Sequence, residues 1–558
     1  MTQPPSPVDI VNYNDVIRLT QYVPVAAPSA EAIERFIAAW QAHAAGPVPG
    51  VLYRELCRQV PEWNQLAAAE IDNPIAAVFI EYLVTEAGTD LDTLPALPPG
   101  EVDNYTIVQD LHTVAFRLIK PNAVSPNGTL MFNLFEIDGP PGMEQGFLMD
   151  WAPRGRFRLG DDALITAMLH QRMLDQATIK AYNRAEITDA EAYSEGIARF
   201  EEAFPRADRK AAAGALPPGA KPPIRSNLGL FAIVATAPPS PRTPGEPMRA
   251  VVVDEFGPPS VLTLKTVRRP DPGPSQIRVA VKASAVNPLD VKMRSGEVRA
   301  IYPSWFPDVL GYSVSGIIDA LGEGVTSLAV GQEVYGINNP IMRHSYAEHV
   351  IAPARYFYPK PTSLDFPAAA AAPSIFATAY GALFLRANLQ AGQTVLIHGG
   401  SGAVGSCAVQ LAKLAGARVI TTAGTPNVGW VRGLGADVVV DYRTQRFEDL
   451  AHDVDLVLDT VGGKTRERSW PLLRPGGTLA SLLPPPPDPA TAQKYGVQAF
   501  MVHGHPDIGA IMPEITQLLE SGQLAPPEVA AVFKLAQAAD AHEMYEKAAP
   551  RGRIVLVT

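Results

Sequence analysis

The segment Thr394–Lys413, TVLIHGGSGAVGSCAVQLAK, constrains this chain more than any other. A short apolar run of strand character leads into Gly400-x-Gly402-x-x-Gly405 and then into apolar residues at helical spacing. Each glycine has a mechanical reason: Gly400 permits a tight turn, Gly402 lets backbone approach a pyrophosphate, and Gly405 allows the helix to pack close on the strand. The first N–H groups of such a helix lack intrahelical partners and receive phosphate. Glycine patterns also arise in surface turns, so the strand–turn–helix context carries the reading. Ser401, Ala403 and Val404 within the loop, and Thr425 and Gly462 after later strands, are further candidate cofactor contacts.

Beyond this segment, RVITTAGT, LGADVVVDY, VDLVLDTVGG and LLRPGGTLASLL alternate with stretches read as helical, such as RTQRFEDLAHD. That is the rhythm of a doubly wound parallel sheet.

A chain of 558 residues exceeds one compact core and divides into two or three domains. The seam is Thr236–Pro247, TAPPSPRTPGEP, where prolines exclude helix and sheet. Ala211–Pro223 reads as a loop within the first domain, and Leu483–Pro489 as an interruption of the second. A formal charge of −11 disfavours nucleic-acid partners. Cys57 and Cys407, the only cysteines, cannot build a disulfide framework or a four-cysteine zinc site, so a cytoplasmic setting is expected. MTQPPSPVDIVNYND lacks a basic region followed by an apolar core. No run is read as reaching the ~18 apolar residues of a membrane span, so no membrane association is expected.

The N-terminal part carries an internal repeat. VIRLTQYV, AEAIERFIAAWQAH, VLYRELCRQ, AAAEID leading into PIAAVFIEYLV, and LHTVAFRLI form one half; TLMFNLFEI, MEQGFLMDWAP, LITAMLHQRM, YNRAEITD leading into AEAYSEGIARFEEAF, and LGLFAIVA form the other. Each half reads β-α-β-β-α-β, the ferredoxin-like order.

From Met248 on, the segments resemble the medium-chain dehydrogenase/reductase superfamily, in its quinone-reductase branch related to zeta-crystallin. MRAVVVDEFGPPSVLTLKTV, VKASAVNPLDVKMRSGEV and LGYSVSGIIDALGEGVTSLAVGQEVYG look like its GroES-like catalytic domain, and RGRIVLVT like its closing strand. The domains implied are a barrel over 1–236 (repeats at 10–120 and 128–236), a linker at 237–247, a GroES-like β domain over 248–372 and 525–558, and a Rossmann NADP-binding domain over 373–524. Zinc-dependent members carry a Cys in the first catalytic segment and Gly-His-Glu in the second, where this chain has Ala283–Asn287, ASAVN, and Gly311-Tyr312-Ser313. The three-ligand open site is not built, and neither metal nor flavin is expected. His344 and His349 lack further convergent ligands. An electron-poor quinone or enone accepts a hydride without a Lewis acid, so positioning dominates the expected catalysis.

By this resemblance Asn287 orients the nicotinamide or the acceptor carbonyl, and Thr378 lines the nicotinamide pocket. Asp290, Arg294 and Tyr312 are candidate pocket groups, with a structural salt bridge as the alternative for Asp290 and Arg294. Ser313 stands where the family usually has an acid. An NAD site offers a carboxylate about 20 residues past the glycines; here the strand ends TTAGTPN, so NADPH is expected. The family's lysine a few residues later is missing. Arg432, Arg443 and Arg553 are the candidates for the 2′-phosphate, and Tyr442 for covering the adenine.

Residues 10–236 resemble the dimeric α+β barrel of the antibiotic-biosynthesis monooxygenases, fused as a pseudo-dimer. The closest local match is Tyr182–Phe200, with Ile187 where that family has tryptophan. The resemblance implies cofactor-independent oxygenation of a hydroquinone, phenol or anthrone by O2. Candidate residues are Asn133, Trp151, His170, Tyr182, Asn183, Trp63 and Asn64, with core packing the alternative for each. The joint expectation is a bifunctional, homodimeric enzyme of aromatic polyketide tailoring, whose tethering raises the local concentration of an autoxidisable intermediate. Alternatives are a barrel serving only dimerisation or substrate binding, an enoyl reductase, and a non-enzymatic structural protein.

Overall fold

In the computed structural model the described residues are 16–26, 28–46, 48, 51–59, 79–85, 97, 105–119, 129–137, 164–172, 179–187, 224–236, 246–273, 275–299, 306–338, 343–502, 508–548 and 551–558. Strands β1 (Val16–Pro24), β2 (Val51–Gln59), β3 (Phe79–Thr85), β4 (Tyr105–Ile119), β5 (Thr129–Ile137), β6 (Leu164–Arg172), β7 (Ile179–Ile187) and β8 (Ile224–Thr236) close into a barrel. Every pairing is antiparallel. The order within each half is the same, β4-β1-β3-β2 and β8-β5-β7-β6, and the halves join through β2–β8 and β4–β6.

The helix Ala30–His43 begins at Ser29, whose hydroxyl accepts from the Ala32 N–H at 3.2 Å. Ile33, Phe36 and Trp40 fall on one stripe and pack on Tyr22, Leu56 and Phe79, with Phe36 and Phe79 stacked at 4.5 Å. Residues 79–84, which the sequence reading places in a helix, belong instead to β3. Their β-branched and aromatic side chains suit a strand paired on both edges, and Phe79, Ile80 and Leu83 are buried. The helices expected at 143–153 and 190–204 and the loop at 211–223 lie outside the described residues.

Strands β9 (Pro247–Val253), β10 (Thr263–Arg268) and β12 (Asp308–Val309) form a small sheet. A larger one is built on β11 (Gln276–Ala285), β13 (Ser313–Leu321), β14 (Glu333–Ile337), β15 (His349–Pro353) and β16 (Phe357–Pro359). The chain then lays down β17 (Thr394–Ile397), β18 (Arg418–Ala423), β19 (Val438–Asp441), β20 (Val454–Asp459), β21 (Leu473–Ser481) and β22 (Gln498–Met501) as a parallel six-stranded sheet, ordered β19-β18-β17-β20-β21-β22. Strand order reverses between β17 and β20, and ligands bind outside the carboxyl ends at such a switch point. Finally β23 (Val529–Lys534) and β24 (Arg553–Val557) return to the larger sheet, β24 pairing with β11.

Residues 443–453, expected to be helical, form only the short turn Phe447–Asp449 before β20. Three consecutive N–H groups, those of Arg443, Thr444 and Gln445, converge on Asp441 and close a single turn there. Against the expectation that no segment reaches membrane length, the helix Phe366–Tyr380, continued by Gly381–Arg386, is long and apolar enough to cross one. It is a core element, with Ala369 to Ala372 fully buried against other elements of the fold.

Candidate active site and cofactor site

The turn from β17 into the helix Ala403–Leu414 assigns the glycines differently from the motif reading. Positive φ belongs to Gly399, at +71°, whose N–H donates to Thr422 Oγ1 at 3.0 Å. Gly400 is constrained by packing instead, since an added Cβ would lie 2.2 Å from Thr421 Oγ1. At Gly405 a Cβ would lie 2.1 Å from the Gly399 carbonyl oxygen, so helix and turn meet backbone to backbone. Gly402 caps the helix without a side-chain hydrogen bond, and its nearest obstacle is the Gly399 oxygen at 3.2 Å. The Gly402 N–H turns back to the Gly399 carbonyl at 2.8 Å, so it is the first helical N–H groups, from Ala403 on, that open at the switch point without a side-chain cap, as phosphate binding requires. Gly462, at φ +75°, follows β20 beside it, its N–H donating to Asp459 Oδ1 at 2.7 Å.

The adenosine end lies past β18. Gly424 to Asn427 offer no acid, and the Asp441 carboxylate is engaged by the Thr425 hydroxyl and the Arg443 N–H, which hold it below the usual range. Tyr442 and Arg443 are exposed beside Gly424: an added Cβ there would meet Tyr442 Oη at 3.1 Å and Arg443 Nε at 3.7 Å. Arg432 is exposed on the helix Val428–Gly433. An uncapped helix start, a β18 end without an available acid and nearby cations fit a dinucleotide bearing a 2′-phosphate.

Arg553 is elsewhere, a correction to its reading as a phosphate ligand. It is buried at the start of β24 and donates through Nη2 to Asn287 Oδ1. Asn287 precedes Pro288 at the start of the helix Pro288–Ser295, which ends at left-handed Gly296. Its Oδ1 also accepts from Ser374 Oγ at 3.1 Å; its Nδ2 donates to the Ala285 carbonyl at 3.1 Å, Asp290 Oδ2 at 3.2 Å and Ser313 Oγ at 3.3 Å. An amide so saturated is a buried hub, and its capacity to bind a substrate carbonyl directly, as the resemblance implies, is taken up.

Asp290 is fully buried. It accepts from the Asn287 N–H at 2.9 Å, the Gly311 N–H at 3.1 Å and the Tyr346 hydroxyl at 3.3 Å. Burial pushes its pKa up to about 6, against the pull of these hydrogen bonds and the Arg553 charge. Tyr346 is hydrogen-bonded to His542 Nε2 at 3.1 Å, and burial holds that imidazole neutral, its pKa down to about 3. Tyr312 is buried close enough to Arg553 for their charges to interact. Thr378 donates back to the Ser374 carbonyl at 2.7 Å, one turn above the Asn287 contact. Arg294 takes the structural alternative: Nη2 bonds Glu546 at 2.5 Å and Nε the Gly257 carbonyl at 3.1 Å. His344 and His349 pair with different carboxylates, Asp308 and Asp319. Among the described residues no three His, Cys, Asp or Glu converge as metal ligands.

Sequence reasoning missed Gly399, Ser374, Tyr346 and His542. Gly399 adjoins the motif and Ser374 sits one helical turn before Thr378, so those two were within reach; Tyr346 and His542 are joined only by the fold.

In the barrel, Asn133 is registered opposite Asn183, and His170 opposite Tyr182. The two pairs are offset by one residue along β7. Trp63, Asn64 and Trp151 lie outside the described residues.

Comparison with known proteins agrees with this layout. The family described as alcohol dehydrogenase GroES-like domain matches residues 273–362, and that described as zinc-binding dehydrogenase matches residues 434–556. The chain is 31% identical over 344 residues to 2-methylene-furan-3-one reductase of Solanum lycopersicum, covering 60% of this chain and 85% of that protein. It is 30% identical over 319 residues to the chloroplastic NADPH-dependent alkenal/one oxidoreductase of Arabidopsis thaliana, covering 55% and 79%. Among solved structures, the quinone oxidoreductase of Coxiella burnetii superposes with a TM-score of 0.51 at 32% identity, over 56% of this chain and all of the other.

Proposed function

This chain belongs, through its C-terminal part, which the family models match at residues 273–362 and 434–556, to the medium-chain dehydrogenase/reductase family on its quinone-oxidoreductase-like side, and from that premise we propose that it is a zinc-free, NADPH-dependent reductase of quinones or conjugated carbonyl compounds. The carrying observation is the uncapped helix start at Gly402, at the switch point of the six-stranded sheet. Bound there, NADPH supplies the hydride. The chain's own residues position and polarise: Gly402 leaves room for the pyrophosphate, and Tyr442 and Arg443 flank the adenosine phosphate. The Asn287–Asp290–Arg553 hub holds a buried guanidinium whose field favours negative charge developing on an acceptor oxygen. The relatives' names span enone, alkenal and quinone substrates, which share an electron-poor carbon conjugated to a carbonyl. NADPH consumption with naphthoquinones, simple enones and enoyl thioesters tests the reading; no acceptor-dependent consumption across that set would refute it.

For residues 1–236 the proposal is a tandem ferredoxin-like barrel of the antibiotic-biosynthesis-monooxygenase kind, oxygenating the reduced aromatic product with O2. The repeated strand order and the His170–Tyr182 register support it. Oxygen uptake by the whole chain on hydroquinones or anthrones, lost in His170→Ala and Tyr182→Phe, is the expected result. Uptake no faster than autoxidation would make the barrel a binding or dimerisation module.

A further inference from the structure

We infer that Arg551, in the turn before β24, recognises the 2′-phosphate of NADPH; the inference rests on the cofactor reading above. Its Nη1 donates to Asn427 Oδ1 at 3.3 Å, in the turn that follows β18, where dinucleotide folds discriminate between the two nicotinamide cofactors. Its guanidinium lies over the Trp430 ring at 5.0 Å. Glu528 takes Nε at 2.6 Å and Nη2 at 3.1 Å, fixing the plane of the group. The side chain remains 40% exposed, so N–H donors are left for a phosphate. The turn is forced by Gly552, at φ +96°, where an added Cβ would lie 2.6 Å from the Glu528 carbonyl oxygen. Arg551 is thereby directed to the nucleotide sheet, while Arg553 enters the Asn287 hub.

The consequence is a cation supplied from the returning C-terminal segment. The segment after β18 carries no lysine of its own, and Arg551 reaches Asn427 from the sheet built on β11. A phosphate held there bridges the two sheets, and the tripeptide Arg551-Gly552-Arg553 connects the adenosine end to the hub beneath the reaction site.

Fluorescence titration of the full chain with NADPH and NADH tests this. Arg551→Ala is expected to weaken NADPH binding by about ten- to a hundredfold, the loss of charge-assisted hydrogen bonds. NADH binding should stay unchanged, which excludes general misfolding, and Arg551→Lys should recover part of the loss. Equal weakening of both cofactors, or unchanged NADPH affinity, overturns the assignment while leaving the cofactor reading intact. A parent chain that binds neither cofactor, or prefers NADH, overturns the cofactor reading and the assignment with it.

Discussion

Arg553 Nη2 donates to Asn287 Oδ1 across 266 residues of chain, tying the closing strand to the residue that begins the helix Pro288–Ser295. Removing the guanidinium leaves Asn287 Oδ1 with Ser374 alone and Asp290 buried without that cation. Arg553→Met is expected to cost about 2–4 kcal/mol of stability in urea denaturation. Arg553→Lys should restore part of it, and a methionine variant as stable as the parent would show that the hub is not structural.

Gly402 and Gly405 should separate binding from folding. Gly402→Ala meets only the Gly399 oxygen at 3.2 Å, so stability should change by less than about 1 kcal/mol while NADPH affinity falls. Gly405→Ala drives a methyl into backbone at 2.1 Å and should destabilise by about 3 kcal/mol, whether or not cofactor is present. Thermal melts with and without NADPH check both, and equal melts for the two variants would refute the distinction.

Acid should act through His542. Burial first, and the Arg294 charge second, push its pKa down to about 3, so it contributes stability above its usual 6.5 that is lost as pH falls toward about 3. Asp290 has the opposite sign: raised from 3.8 to about 6, its contribution is present below 3.8 and lost as pH rises through about 6. Between about pH 4 and 6 the slope of stability against pH should become less positive in His542→Gln, by at most about 1.4 kcal/mol per pH unit for one proton, and more positive in Asp290→Asn. Parallel slopes in all three proteins would contradict both assignments.

Arg294 bonds Glu546 and the Gly257 carbonyl and stands outside the Asn287 hub. Arg294→Met is therefore expected to lower stability by about 2–3 kcal/mol, Glu546 being partly exposed, while KM for NADPH and acceptor stays the same in the folded fraction. A raised acceptor KM at unchanged stability would return Arg294 to the substrate site.

Much of the nucleotide half was legible because its determinants are local. Thr394–Lys413 carries strand, turn and helix in one run, and the absence of an acid after β18 is visible in TTAGTPN. Local reading failed where neighbours decide. FIEYLVT became a strand because β1 and β2 pair with both its edges, and the left-handed turn falls on Gly399 while Gly400 is the glycine that Thr421 packs against. Asn133 and His170 looked alike as polar strand residues, and only cross-strand pairing shows which residue stands opposite each, Asn183 and Tyr182.

The doubly wound sheet and its glycine turn could be read from the chain alone, since helix starts, glycine turns and strand periodicity depend on residues a few positions apart. The partners of Arg551 and Arg553, by contrast, are set by contacts between distant segments. Two residues apart, they diverge at the left-handed Gly552, one toward Asn427 and one toward Asn287. That divergence depends on Glu528, Asn427 and Asn287 arriving from distant parts of the chain, contacts that no local spacing encodes.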